Sequence, residues 1–409
     1  MMQQINASRL WDSLNQMATL GAIPGNGVCR LALSEEDRQA RDLLQRWATD
    51  AGCTVRVDEM GNMFLRREGR QPQLAPVLTG SHVDSQPNGG RYDGIYGVLA
   101  GLEVLRSLND AQVETERAIE VVNWTNEEGA RFAPAMLASG VFSGVFTRDE
   151  AWQREDARGI SVKQALRDIG YLGNHPARAF PIHAAYELHI EQGPILEAEG
   201  KTIGVVRGAQ GQRWYQAEVV GFSAHAGTTP LPLRRDALLG FASLVQTVNQ
   251  IGLHFAPDAR ATVGRADIEP NSPNVVPGRV RFSIEFRHPD EQVLAEMEAA
   301  LLLAFAQSND GPLTASVERI FDYAPVEFDA HCVATVRQAA TTLGYAQREM
   351  ISGAGHDACY LSRVAPTAMI FIPCVDGISH NPAENISETW ASAGANVLLN
   401  AVMSSAMEG

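Results

Sequence analysis

VLTGSHVDSQPNGGRYDGIYGVLAGLEVL, residues 77–105, carries three signals in one run. The apolar stretch Val77-Leu78-Thr79 ends at Gly80 and reads as a short buried strand. A dense polar segment follows, with His82 directly after the strand and Asp93 near the segment's end. From Tyr96 to Leu108 the residues Val98, Leu102, Leu105 and Leu108 share one helical face, and Asn109-Asp110 closes the run. A second β-rich apolar segment, Ile119–Trp124, terminates at NEEGAR, Asn126–Arg131. Strand, polar loop, helix and strand make a βαβ-like order. It predicts an α/β fold with a mainly parallel central sheet and ligand-bearing loops at the C-terminal strand ends.

Upstream, Ser34-Glu35-Glu36-Asp37 has the form of a capped helix start, and Ala40, Leu43, Leu44 and Trp47 recur at helical spacing until Gly52. Val55 and Val57 alternate with polar neighbours as a strand does, Gly61-Asn62 reads as a turn, and Met63–Arg66 can pair back as a hairpin. Downstream, residues 134–181 are helical and irregular, with Val162, Ala165, Leu166 and Ile169 marking one amphipathic helix. Tyr186–Ile190 reads as a strand carrying His189 inside HIEQGP, and the glycine-rich step Gly208–Gly211 reads as a domain boundary.

The pattern then changes. Strand 214–220, helix 235–251, strands 261–268 and 279–286, helix 291–307 and strand 315–321 follow in the βαββαβ order of a ferredoxin-like unit. The α/β character returns with a helix near 333–343, the GAGHD loop (Gly353–Asp357), the apolar strand Thr367–Ile372 and His380 in GISHNPAE.

At 409 residues the chain exceeds one ordinary core and reads as two domains, or one domain with a large insertion. With 45% hydrophobic and 20% charged residues it is a globular composition, not a disordered one. A net charge of -15 argues against binding nucleic acid through its phosphates, so small molecules are the expected partners. The start MMQQINASRLW has neither a basic n-region nor a long apolar core, and no run of eighteen apolar residues occurs; a cytoplasmic protein without membrane attachment is expected. Cys29, Cys53, Cys332, Cys359 and Cys374 form no C-x-x-C pair, which suits reduced, buried thiols. Cys359, three residues after His356, is expected to be a packing residue.

His82, Asp93, Glu127-Glu128, His189 and His380 each follow or end an apolar strand. Imidazoles and carboxylates gathered at four strand ends are the ligand set for Zn²⁺ or its first-row neighbours Mn²⁺, Co²⁺ and Ni²⁺. A carboxylate such as Asp93 can bridge two cations with its two oxygens. Of two adjacent acids, one can face metal and the other water, which makes Glu127 the candidate general base beside the ligand Glu128. Asp84, two residues after His82, is a candidate acceptor for that imidazole or an ordinary turn residue.

SHVDS, GGRYDGIYG, NEEGARF, HIEQG, HAGTTP, NVVPG, GAGHD and ISHNPAE, in this order, resemble the amidase/carbamoylase branch of the M20 metallopeptidase family over nearly the whole chain. That branch holds N-carbamoyl-L-amino acid hydrolases, β-ureidopropionases and allantoate amidohydrolases. Asn126 stands where related peptidases more often carry Asp, which moves the expectation away from peptide substrates. The resemblance implies one metal held by His82, Asp93 and His189 and a second by Asp93, Glu128 and His380, with Glu127 as general base. It implies a catalytic domain of residues 1–210 and 327–409 and an inserted domain, 211–326, that makes a homodimer and acts as a lid. His225 then matches a residue reaching the partner's site as an oxyanion donor. Arg287 matches the arginine that binds substrate carboxylate, Asn274 and Gln192 match polar substrate contacts, and His356 is expected to line the pocket.

The expected reaction is hydrolysis of an N-carbamoyl-L-amino acid, or N-carbamoyl-β-alanine, to amino acid, ammonia and CO₂. Allantoate is the alternative substrate. A non-catalytic metal-binding module is the remoter alternative, which loss of the base or a ligand would mark; all are present.

Overall fold

The computed structural model describes residues 3–309 and 311–409, in two compact units: the chain up to Gly208 together with Glu327 onward, and Ala209–Val326. In chain order the elements of the first unit that position the site include β1 (Thr54–Val57), β2 (Met63–Arg67), β3 (Val77–His82), α1 (Ile95–Asp110), β4 (Ile119–Trp124), β5 (Ala184–Ile190) and β6 (Ile203–Ala209). The second unit comprises β7 (Gly211–Val220), α2 (Ala237–His254), β8 (Arg279–His288), α3 (Glu291–Ser308) and β9 (Thr314–Tyr323). The first unit resumes with α4 (Ala330–Thr342), β10 (Thr367–Ile372) and α5 (Glu388–Ala406).

The sheet of the first unit is mixed, not mainly parallel. Its centre, β10-β5-β3-β4, is parallel throughout, but β4 pairs antiparallel with β2, β2 with β1, and β10 with β6. Connection length explains the difference. The link around Gly61-Asn62 between β1 and β2 is far too short for a crossover, so those strands can only meet as a hairpin. All four central strands are buried at every position, because α1 and α5 cover them on one side and further chain on the other. Val77, Leu78, Val121, Leu188 and Ile370 are each fully buried. Helix starts follow the capping rules: Ser34 accepts from the Asp37 N–H, Ser387 from Trp390, and Asp329 from His331 and Cys332. An N-terminal helix, Ala7–Met17, capped by Asn6, was not anticipated from the sequence.

The second unit has the strand order of a ferredoxin-like fold. The short pieces Arg260–Thr262 and Ala266–Glu269 pair with β8, β8 with β7, and β7 with β9, all antiparallel. A single strand was expected over 261–268; the chain instead breaks around Gly264. One sheet face packs Tyr215, Val219, Phe282 and Phe286 against Leu244 and Val248 of α2 and Leu294 and Met297 of α3. Among the described residues no helix is long and apolar enough to cross a membrane.

Gly80 shows how tightly the parallel centre is built. Its φ is +144°, and a Cβ there would lie 2.0 Å from the Val122 carbonyl oxygen on β4. Gly80→Ala is therefore expected to cost about 3 kcal/mol of stability, read as a drop in the urea midpoint; an unchanged midpoint would contradict this packing.

Candidate metal centre

The parallel centre delivers its functional side chains from one edge. His82 is the last residue of β3, Asn126-Glu127-Glu128 follows the end of β4, His189 is the penultimate residue of β5, and the chain leaving β10 reaches His380. Gly94 opens α1 at φ +68°, and a Cβ there would sit 2.2 Å from His82 Cε1. Only glycine lets Asp93 and the helix start approach that imidazole so closely.

Asp93 stands in the middle. Its Oδ1 lies 3.0 Å from His189 Nε2 and 3.6 Å from His82 Nε2, while its Oδ2 lies 3.3 Å from His380 Nε2. Glu128 Oε2 is 3.4 Å from His380 Nε2, and Glu127 Oε2 is 3.5 Å from His82 Nε2. Of the three groups of potential ligand atoms among the described residues, His82/Asp93/His189 and Asp93/Glu128/His380 share Asp93, through different oxygens, and the third joins Glu187, His189 and His356.

The far nitrogens test whether this arrangement fits a metal. His82 Nδ1 is 2.9 Å from the Asp84 carbonyl oxygen and His189 Nδ1 is 2.9 Å from that of Ile190. Each Nδ1–H donates there, which points the Nε2 lone pair inward, the form in which imidazole binds a metal. Gly94 N–H also donates to His189 Nε2 at 3.1 Å. In the neutral ring a lone pair thus faces the Asp93 oxygen at 3.0 Å, an arrangement that a cation between them makes favourable. The residues fit divalent ions.

Asp84 is the acceptor for His82, through its backbone. Its backbone oxygen, not its carboxylate, orients His82; the carboxylate instead accepts the Glu127 and Glu128 N–H groups, each at 3.2 Å. One residue therefore fixes both a ligand histidine and the glutamate pair. Gln86 donates to Glu128 Oε2 at 2.7 Å. Glu384, which the sequence reading passed over inside ISHNPAE, accepts from the Tyr92 and Asp93 N–H groups, and the single hydroxyl proton of Ser379 lies within reach of either Asp93 Oδ2, at 2.9 Å, or Glu384 Oε2, at 3.1 Å. Glu187 was also missed. It accepts from Ser81 Oγ and Ala358 N–H, and its place two residues before His189 on β5 was the available signal.

The remaining candidates divide by position. Gln192 donates to Asp93 Oδ2 at 2.8 Å, and His356 is buried behind His189, its ring 4.6 Å away and its Nε2 2.9 Å from Ser352 Oγ. His225, Asn274 and Arg287 belong to the second unit. Ala224–His225 pairs with Val275–Val276 in a two-strand ladder, and Asn274, just before it, accepts the Ala226 N–H at 3.0 Å. Arg287 is on β8, ion-paired to Glu285 at 2.7 Å. Cys359 is buried, and the five cysteines form no disulfide.

Electrostatically the first unit concentrates negative charge out of water. Burial raises Glu127 well above the usual carboxylate range, with Asp357, Glu128 and Asp84 adding to the rise against the pull of His82. Burial and Asp93 together raise Glu128 to about 7. His380, hydrogen-bonded to Asp93, is raised to about 9. His82 and His189 also rise: burial opposes their charge, but the carboxylates outweigh it.

The region 78–404 matches the model of peptidase family M20/M25/M40. The chain belongs to this family. Among M20 relatives, an N-carbamoyl-L-amino-acid amidohydrolase of Rhizobium meliloti is 47% identical over 99% of this chain and 97% of its own length. An allantoate amidohydrolase of Bacillus subtilis is 34% identical over 95% of each chain. A solved amidase of the hydantoinase/carbamoylase family from Burkholderia multivorans is 60% identical, covers 99% of both chains and superposes with a TM-score of 0.96.

Because His380 without metal holds a proton up to about pH 9, metal uptake near neutrality must displace protons. Calorimetric titration of the metal-free protein with Zn²⁺ at pH 7 should show an enthalpy that depends on the buffer's ionisation heat. Affinity should strengthen as pH rises towards 9; buffer-independent heats would contradict the protonation pattern.

Proposed function

We propose that this M20 enzyme hydrolyses the ureido bond of N-carbamoyl-L-amino acids to amino acid, ammonia and CO₂. The observation that carries the reading is Asp93 presenting one oxygen to His82 and His189 and the other to His380, with Glu127 alongside. The name of the 47% identical relative supports the substrate class. The allantoate amidohydrolase relative keeps allantoate as the second reading, at lower identity.

His82, Asp93 and His189 would hold one divalent ion, Zn²⁺ or Mn²⁺, Co²⁺ or Ni²⁺, and Asp93, Glu128 and His380 a second. When bound, such a pair supplies Lewis acidity to the ureido carbonyl and lowers the pKa of water. Glu127 accepts the proton of the attacking water and returns it to the departing amine nitrogen. Positive charge from the two ions would counter the rise that burial imposes on Glu127 and keep it ionised at neutral pH, ready to accept that proton. Asp84 keeps Glu127 in place through its backbone N–H. One water consumed balances the sum: R–NH–CO–NH₂ + H₂O gives R–NH₂, CO₂ and NH₃.

Recognition of the substrate's ends falls to Arg287, for the carboxylate, and to Gln192 and Asn274 as polar contacts, with His356 backing the site through His189. His225 is suited to donate to the oxyanion: its Nδ1 accepts the Gly227 and Thr228 N–H groups at 3.0 and 3.2 Å, which leaves the ring proton on Nε2. Within the second unit, however, Arg287 pairs with Gln212 at one end of β8, whereas the His225/Asn274 ladder adjoins the other end, where Gly221 N–H bonds the Gly278 carbonyl. The strand from Arg279 to Arg287 spans about 27 Å. No small ureido acid touches both from one copy. This favours a homodimer through the second unit in which His225 and Asn274 of one copy serve the site of the other, the second unit acting as a lid.

Glu127→Gln should keep its metal, counted by mass spectrometry, and lose about 10³-fold in kcat in an ammonia-release assay. N-carbamoyl-L-amino acids, N-carbamoyl-β-alanine and allantoate offered in parallel should rank in favour of the first. Full activity in Glu127→Gln, or allantoate as the best substrate, would overturn the corresponding part of the proposal.

A further inference from the structure

The three histidines around Asp93 are not held alike. His82 and His189 stand at the ends of β3 and β5, their side chains 2% and 1% exposed and their Nδ1 atoms tied to backbone carbonyls. His380 lies beyond β10 on a loop, at φ +53°, with its side chain 50% exposed. Strand ends therefore fix the first ligand group, whereas Asp93, Glu128 and His380 depend on whatever joins the His380 loop to the loop carrying Asp93. Glu384 makes that join. A tight turn sets its place after His380: the Glu384 N–H donates to the Asn381 carbonyl at 2.9 Å, and Asn381 Oδ1 accepts the Ala383 N–H at 2.9 Å. From there Oε1 accepts both the Tyr92 and the Asp93 N–H, at 2.9 and 3.1 Å, and Oε2 lies 3.1 Å from Ser379 Oγ. The facing loop is shaped to admit this buried carboxylate, because a Cβ on Gly90 would lie 2.0 Å from Glu384 Cδ.

Resting on the two-ion centre proposed above, we infer that Glu384 is a positioning residue for the second ion: it holds Asp93 Oδ2 and His380 at the separation that the Asp93/Glu128/His380 group needs. A second carboxylate buried beside Asp93 is unfavourable by charge alone. It is offset here by amides that belong to the Asp93 loop itself, so Glu384 grips the backbone beneath the shared ligand. Ser379, next to His380, spans the two acids, with Oγ 2.9 Å from Asp93 Oδ2. A loop-borne ligand must be ordered when the ion binds, and a contact that orders it beforehand raises affinity. His82 and His189, already fixed by their strands, gain little from the same contact. The effect of Glu384 is thus one-sided, which a general structural role would not be.

The test titrates Zn²⁺ into the metal-free, full-length chain by calorimetry, with retained ions counted by mass spectrometry. The wild type should bind two ions. Glu384→Ala should keep the first and bind the second about 10- to 100-fold more weakly, and excess Zn²⁺ should return its turnover to within about threefold of wild type. Glu384→Gln should bind the second ion within about threefold of wild type, because an amide oxygen can still take both N–H groups. Gly90→Ala puts a methyl group where the carboxylate carbon lies and should reproduce the loss of the second ion; it leaves Glu384 in the chain and decides the matter if Glu384→Ala does not fold. Gly90→Ala with Glu384→Ala should be no weaker than Glu384→Ala alone, since both break one contact. Equal weakening of both ions, additive losses in the double variant, or a Glu384→Gln as damaging as Glu384→Ala would overturn the positioning role. A wild type that binds two ions and hydrolyses no ureido compound ends the proposed function and leaves this role standing. One that binds fewer than two ends both the shared centre and the role.

Discussion

A buried carboxylate that must face three histidines at once organises this molecule. Asp93 reaches His82 and His189 with one oxygen and His380 with the other, and Glu127, Glu128, Asp84 and Glu187 are buried or nearly so around it. Concentrating negative charge away from water is strongly unfavourable unless positive charge comes with it. The histidines supply some by taking up protons, and the inward-facing lone pairs of His82 and His189 are shaped for cations instead. The surrounding structure serves to hold that set together. Gly94 makes room beside His82, Glu384 takes the Tyr92 and Asp93 amides, and Asp84 spans one ligand and the glutamate pair.

The fold supplies the geometry through a simple device. Four parallel strands buried on both faces end side by side, so four short departures of the chain put their polar residues within a few ångströms of each other. This is the general site of function in open α/β sheets. Antiparallel strands at the flanks extend the sheet without contributing to those ends. The second unit has an equally clear division, with a packed face against its two helices and a mostly polar face opposite.

Much of this was legible in the residues. Apolar runs ending in His82, Glu127-Glu128 and His189 announce buried strands with ligands at their ends, because such runs leave few alternatives to a covered sheet. The mixed character of the sheet was only half visible: the turn at Gly61-Asn62 signals a hairpin, but nothing local to Ile203–Ala209 reveals that it runs against β10. Hydrogen bonds made by backbone atoms were also hidden. Asp84 reads as an acceptor for His82 or as a turn residue, and nothing in the sequence tells that its carbonyl meets the imidazole while its carboxylate holds the Glu127 amide. Glu384 acts on a loop almost three hundred positions away, a pairing that no periodicity encodes.

In the proposed centre Asp93 is shared between two cations. Metal content by mass spectrometry of the wild-type chain, His380→Ala and Asp93→Ala, each loaded with Zn²⁺ and desalted, tests it most directly. Two ions per chain, falling to one in His380→Ala and to none in Asp93→Ala, is the expected series. Retention of either ion in Asp93→Ala at wild-type occupancy would contradict the shared centre.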